Sequence, residues 1–214
     1  SIPVSPAIGD FYQGGVVFWI DPNDSTQGLV CDIIDLGYTD WGCYGTAISG
    51  ADGITIGTGD QNTNDILSGC TTSGIAADLC ANSNTEGYSN WFLPSKDELN
   101  EMYLNKSIID LISLNNGGTT FLNTGYWSST EAGSYSAWRI EMQYGPNNTK
   151  SKNQDYYVRA IRSFLSPISA DTTNCVWVSN SGWNYITITT ANGITATDSV
   201  YVSLNTPVSG SSSV

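Results

Sequence analysis

Residues Asp60-Gln61-Asn62-Thr63-Asn64-Asp65 carry side-chain oxygens at alternate positions, as the opening of a calcium loop does. Asp60, Asn62 and Asp65 are the candidate ligands of such a site. The segment lacks the glycine and the final glutamate that complete the loop, and capping of a helix by Asn62 or Asn64 is the competing explanation. Asp21-Pro22-Asn23-Asp24 offers a second oxygen-rich stretch, which turn chemistry explains without a metal. Glu131 and Glu141 would make an acid/base pair if they converged with one pKa raised. The chain has no histidine, which removes Ser-His-Asp and Cys-His catalysis and imidazole-bound zinc. Catalysis would have to rest on carboxylates, Tyr, Lys or Cys, and the expectation is that the protein is not an enzyme.

Aromatic residues offer a different chemistry. Tyr126, Trp127, Trp138, Tyr144, Tyr156 and Tyr157 could stack against sugar rings. Trp127 and Trp138 are expected in the core. Tyr144, Tyr156 and Tyr157 flank turns and are the better ligand-binding candidates. Trp41 and Tyr44, embedded in a Gly- and Asp-rich stretch over 35–60, join them. Arg159 and Arg162 are expected to pair with carboxylates such as Asp97 or Glu98.

Five cysteines stand at 31, 43, 70, 80 and 175, and none forms a CxxC pair. That spacing argues against zinc ribbons and thioredoxin-like sites. One or two disulfides are expected: Cys70 with Cys80 is favoured, Cys31 with Cys43 could form a second, and Cys175 is left over. Buried free thiols are the alternative.

These residues need elements to hold them. Trp91-Phe92-Leu93 arrives extended, and Pro94 keeps the preceding residue out of helix. Ser95 and Glu98 make a capping box, and Leu99, Met102 and Tyr103 share one helical face. Shorter helices are expected from Asn62 or Thr63 through Leu67, over Ile75–Cys80 and over Ile108–Leu114. Strands are expected at Val16–Ile20, Gly28–Ile34, Gly125–Thr130, Tyr135–Met142 and Tyr156–Phe164. Along Tyr135–Met142, Trp138, Ile140 and Met142 alternate onto the buried face. Composition then shifts toward Thr, Ser, Val and Asn. Strands are read at Cys175–Ser179, Tyr185–Thr190 and Ser199–Leu204, with a hairpin signal at Asn192-Gly193.

The fold class expected is α+β. Residues 1–8 form an extended arm, 9–165 the main domain, 166–205 a partial β segment, and 206–214 a flexible tail. With seven Lys and Arg against 20 Asp and Glu, phosphate backbones and anionic membrane surfaces are poor partners. No run approaches the roughly 18–20 apolar residues of a membrane span. A surface built from Ser, Thr, Asn and Gly is typical of extracellular β proteins.

Several stretches, in order, resemble a known family: Gly14-Gly-Val-Val-Phe-Trp-Ile, Trp41-Gly-Cys-Tyr-Gly-Thr, Trp91-Phe-Leu-Pro-Ser-Lys-Asp-Glu-Leu-Asn, Tyr126-Trp-Ser-Ser-Thr-Glu, Ala137-Trp138 and Val158-Arg-Ala-Ile-Arg. Over residues 9–165 the chain resembles the Lcl C-terminal-type domains of bacterial collagen-like adhesins and other bacterial surface proteins. The resemblance implies a C-type-lectin-like fold with paired terminal strands, two helical regions and a second sheet carrying the Trp-Ser-Ser segment. It also implies extracellular adhesion, with a glycan or surface protein as partner. The Glu-Pro-Asn and Trp-Asn-Asp calcium motifs of C-type lectins are not present. Residues 166–205 are similar to the closing strands of Ig-like repeats in large adhesins. Two functions are therefore expected: a non-catalytic adhesion module, or a structural subunit of a filament in which copies of the chain join by strand addition.

Overall fold

The structure, a computed structural model, describes residues 5–145 and 147–166, together with two later strands, Gly182–Thr189 and Thr195–Val202. The chain divides into a larger unit, Pro3–Pro167, and a smaller one built on Ile168–Val214.

The larger unit contains helices and two sheets, the mixed α+β class. Its first sheet runs β1 (Phe11–Tyr12), β2 (Gly15–Asp21), β3 (Asp24–Asp32) and β9 (Ile161–Leu165), all antiparallel. The connection between β2 and β3 is a tight hairpin, with Asp21 opposite Asp24. Asp21 Oδ1 accepts from Asn23 N at 2.8 Å, and Asp24 Oδ1 accepts from Thr26 N and Oγ1 at 3.0 and 2.6 Å. Both carboxylates are thus used in shaping the turn. The second sheet has the order β4 (Gly37–Thr39), β8 (Tyr156–Val158), β5 (Gly125–Gly133), β6 (Ser136–Glu141) and β7 (Asn147–Ser151), with β5 and β8 parallel. Its central strand carries Trp127-Ser128-Ser129.

Four α-helices lie between β4 and β5: α1 (Gly59–Gly69), α2 (Ala76–Ala81), α3 (Lys96–Leu104) and α4 (Lys106–Asn115). The capping box before α3 forms as expected. Ser95 Oγ accepts from Glu98 N at 3.3 Å, and Glu98 Oε2 accepts from Ser95 N at 2.7 Å. Glu98 Oε1 also accepts from Gly57 N, which pins the loop before α1. Phe92 exchanges backbone hydrogen bonds with Ile161, tying the entry to α3 onto β9.

Two apolar clusters form the core. One gathers Val17, Val30, Trp41, Ile66, Trp91, Leu93, Trp127 and Phe164. The other gathers Val16, Phe18, Leu29, Cys31, Phe92, Leu99, Met102, Tyr126 and Ile161. Neighbours such as Val16 and Val17, or Tyr126 and Trp127, fall in different clusters. Both sheets are therefore covered on both faces, which explains the continuous rather than alternating apolar runs in β2 and β3.

Four expectations need correction. The single strand expected over Tyr156–Phe164 is two strands in different sheets, β8 and β9, joined at Arg159-Ala160. Arg159 is 1% exposed. Its Nε donates to Asp35 Oδ1 at 2.8 Å, and its Nη atoms donate to Thr119 O and Oγ1. Buried guanidinium needs such partners, and they are met only where the chain crosses between sheets. Neither Asp97 nor Glu98 takes part. On β6 the expected one-sided burial fails: Ala137 and Arg139 are buried, while Trp138 is half-buried beneath Lys96, whose Nζ lies 4.6 Å from the ring centroid. The disulfide is Cys43–Cys70, with Cα atoms 5.7 Å apart. Neither Cys70–Cys80 nor Cys31–Cys43 forms; Cys31 and Cys80 are buried free thiols.

In the smaller unit, β10 (Gly182–Thr189) and β11 (Thr195–Val202) pair antiparallel from Gly182↔Val202 to Thr189↔Thr195. The hairpin signal Asn192-Gly193 falls between these strands in sequence and lies outside the described residues. The strand expected at Cys175–Ser179, residues 1–4 of the arm and the tail at 206–214 lie outside the described residues.

Candidate functional site

The best-organised exposed feature is a pair of tyrosines at the edge of the second sheet. Tyr44 is 53% exposed and Tyr135 61%. Their ring centroids are 5.2 Å apart, with planes at 66°. Tyr135 sits in the tight connection between β5 and β6, and Tyr44 in the loop after β4.

That loop is set by its sequence. Gly42, Cys43 and Gly45 all have positive φ, at 101°, 46° and 92°. Glycine adopts this region freely, whereas at Cys43 it is strained. The disulfide to Cys70, just beyond the last turn of α1, holds Cys43 in place. Thr46 N donates to Cys43 O at 3.0 Å, and Gly45 N donates to Ser134 O at 2.9 Å, so the loop is joined directly to the turn bearing Tyr135.

Beneath the pair lies a buried ion pair. Lys152 Nζ donates to a Glu131 carboxylate oxygen and to Thr46 O, the latter at 2.9 Å. Glu131 Oε1 also accepts from Ile48 N at 2.9 Å. Lys152 Nζ lies 4.4 Å from the Trp41 ring centroid, a cation–π contact in a dry setting. Trp41 Nε1 donates to Ser128 O at 2.8 Å, and Lys152 N donates to Tyr135 O at 3.0 Å. Lys152 is fully buried and Glu131 nearly so. The two charges cancel, so this ion pair adds no net charge next to the two exposed rings, whose chain neighbours Thr46 and Ser134 bring hydroxyls.

Of the expected ligand-binding residues, only Tyr44 belongs to this platform as a contact surface. Trp41 supports it from below, being fully buried. Tyr156 and Tyr157 are consecutive on β8 and so face opposite sides. Tyr156 packs edge-on against Trp127 with centroids 4.9 Å apart, while Tyr157 packs against Tyr38 and Tyr126. Tyr144 is 69% exposed and, among the described residues, joins no ring pair. These three do not assemble with Tyr44. The residue that sequence reasoning missed is Tyr135. Its signal was an aromatic beside Gly133-Ser134 at a strand-to-strand turn.

The expected calcium ligands do not converge. Asp60, Asn62 and Asp65 lie on α1, which begins at Gly59 rather than at Asn62. Asn62 is 1% exposed, and its amide binds Gly53 N, Gly53 O and Ser129 Oγ. It neither caps the helix nor faces its acidic neighbours. Asp65 accepts from Gln61, and Asp60 from Asn64. Among the described residues, no group of three or more His, Cys, Asp or Glu could hold a metal ion. Glu131 pairs with Ala137 and Glu141 with Gly125, so the two lie apart along the β5–β6 ladder, by about 13 Å for the four residues of β6 at 3.3 Å per residue. Each has its own cation, Lys152 and Arg139 respectively, so the acid/base pair does not form.

A second surface feature is a polar groove between α1 and the segment leading into Trp91. It opens through Asp60, Asn64, Ser89 and Asn90 and has a volume of about 400 Å³. A smaller continuation of about 270 Å³ runs on to Arg162 and Ser163 of β9. Asn90 has φ of 65°, which asparagine tolerates better than most residues.

No curated protein matches the chain. Residues 57–162, from the loop before α1 to the start of β9, match the family model of the Lcl C-terminal domain.

Proposed function

We propose that the larger unit is a non-catalytic binding module of a bacterial surface protein, and that it recognises neutral glycan through Tyr44 and Tyr135. The observation that carries this reading is the exposed ring pair whose two loops are joined by the Gly45–Ser134 hydrogen bond and the neutralised Glu131–Lys152 pair. Aromatic faces stack on the C–H face of a pyranose, and the surrounding hydroxyls and backbone groups can meet its O–H groups. The charge of −13 disfavours a polyanionic glycan. The match to the Lcl C-terminal domain supports a surface-associated binding role. The Cys43–Cys70 disulfide suits an oxidising, extracellular compartment. Among the described residues, no helix is long and apolar enough to cross a membrane.

The test is a glycan array read with the wild-type chain and with Tyr44→Ala and Tyr135→Ala. Neutral glycans are expected to bind, and each substitution to weaken binding about tenfold. Silence across the array, or binding indifferent to both substitutions, rejects the reading.

A second reading, a filament subunit joined to its copies by strand addition, draws on the smaller unit. Its described residues form a two-stranded ladder, and an isolated hairpin is marginal in water. Negative-stain images of the purified chain decide between a fibre and a discrete particle.

A further inference from the structure

The groove between α1 and β9 holds two opposite charges that, among the described residues, have no ion-pair partner. Asp60 lies in the first turn of α1 and Arg162 on β9, and both line the narrower part of the groove together with Asn90 and Ser163. Among the described residues, neither has an oppositely charged group within 4.0 Å. Of the chain's seven Lys and Arg, Lys106, Arg139, Lys152 and Arg159 each hold a carboxylate, whereas among the described residues Lys96, Lys150 and Arg162 have none within 4.0 Å. Arg162 is instead held by uncharged groups. Its Nη2 donates to Gln13 Oε1 at 3.2 Å and to Gln13 O, and its Nη1 donates to Ser163 O at 3.3 Å. The guanidinium lies 4.6 Å from the Tyr88 ring centroid and 5.6 Å from that of Trp91. Its Nε is buried without a hydrogen-bond partner. These contacts fix the cation at the end of the groove without neutralising it. Asp60 is exposed and accepts one hydrogen bond, from Asn64 at 3.3 Å, so its carboxylate is free to accept more.

We infer that this groove is a second ligand site, for a small zwitterion of the amino-acid or short-peptide class, whose ammonium meets Asp60 and whose carboxylate meets Arg162. An anion alone meets Arg162 but is repelled by Asp60 and by the acidic chain. A cation alone meets Asp60 but is repelled by Arg162. A ligand carrying both charges satisfies both residues, and the amides of Asn64 and Asn90 add neutral hydrogen bonds. The walls are solvent-exposed, so each charge contact is screened and binding is weak. The site is separate from the tyrosine platform: Asp60 and the Cys70 end of α1 are about 15 Å apart along the helix.

The experiment is amide NMR titration of the whole chain with glycylglycine, alongside acetate and methylammonium. Glycylglycine is expected to shift the amides of Ser89, Asn90 and Ser163 saturably, and the two single-charge probes to shift them far less. Asp60→Asn should weaken glycylglycine about fivefold, and Asp60→Lys should turn the groove into one that prefers acetate. Tyr44→Ala should leave the titration unchanged, which separates this site from the glycan platform. The inference fails if glycylglycine causes no shift, if acetate matches it on the wild-type chain, or if Asp60→Asn binds as well as wild type.

Discussion

Asp32 is fully buried at the end of β3, with Oδ1 accepting from Ile34 N at 3.1 Å and Oδ2 accepting from Thr85 Oγ1 at 2.9 Å. Burial outweighs these bonds and pushes its pKa up from 3.8 to about 6. A carboxyl that holds its proton more tightly when folded favours the folded state below the unfolded pKa. That benefit is lost as pH rises from about 4 through about 6. Two pH units correspond to about 3 kcal/mol. Asp32→Asn keeps the acceptor for Ile34, and the Thr85 hydroxyl can rotate to accept from the new amide. Denaturation of the variant across pH 4–8 is expected to match wild type at the acid end and exceed it by up to about 3 kcal/mol near pH 8. Equal slopes for the two proteins would reject the assignment. Burial raises Asp35 and Glu98 in the same sense, but they are common to both proteins and cancel in the comparison. The Glu131–Lys152 pair permits a second test. Glu131→Ala leaves a buried ammonium with Thr46 O as its remaining partner, and such a loss costs about 3–5 kcal/mol. Adding Lys152→Met should recover much of that stability. Additive losses in urea melts of the single and double variants would show that the charges are not coupled.

At the scale of elements, the entry to α3 was the most legible part of the chain, because its determinants are local. Pro94, Ser95 and Glu98 lie within five residues, and both hydrogen bonds of the capping box are present. Ser95 is itself buried and its Oγ donates to Thr55 O at 3.0 Å, so Ser95→Ala should cost about 1–2 kcal/mol of unfolding free energy in a urea melt. Features set by distant partners were not legible. Asn62 reads locally as a cap, yet its amide is claimed by Gly53 and Ser129. Tyr156–Phe164 reads as one strand because both halves are apolar and β-branched or aromatic. What divides it is a guanidinium whose partners, Asp35 and Thr119, lie far off in sequence. The cysteine pairing depended on the loop after β4 meeting the far end of α1, and spacing carries no trace of that meeting. Tyr44 was legible as an exposed aromatic, but its partner Tyr135 was not, since the contacts that join them, through Gly45 and Ser134 and through Lys152, link segments far apart in sequence. The disulfide closes a separation of 27 residues, which in the chain-entropy picture is worth about 3–4 kcal/mol. Cys43→Ser with Cys70→Ser should therefore lower the calorimetric melting temperature by roughly 10 °C. Because Cys43 holds strained backbone beneath Tyr44, glycan affinity should fall in the same variant.

Across the whole molecule, the two units differ in how much core each describes. Both apolar clusters draw on residues between Val16 and Phe164, and the last described contact of the larger unit is Ser166 N donating to Thr26 O at 2.6 Å. Among the described residues, both clusters are built within the larger unit. A chain ending at Pro167 should thus melt cooperatively at the same temperature as the corresponding transition of the full chain, because the same apolar area leaves water in both. It should also keep its glycan affinity, since Tyr44, Tyr135, Glu131 and Lys152 all lie within it. Calorimetry and the glycan array check both outcomes. A lowered melting temperature would mean that the smaller unit contributes to the larger one's stability, and lost glycan binding would move the recognition surface away from the tyrosine pair. The same truncation bears on assembly. If full-length chains form fibres, strand addition through β10 and β11 predicts that the shortened chain stays a discrete particle. Fibres that persist after truncation would locate the assembling surface on the larger unit instead.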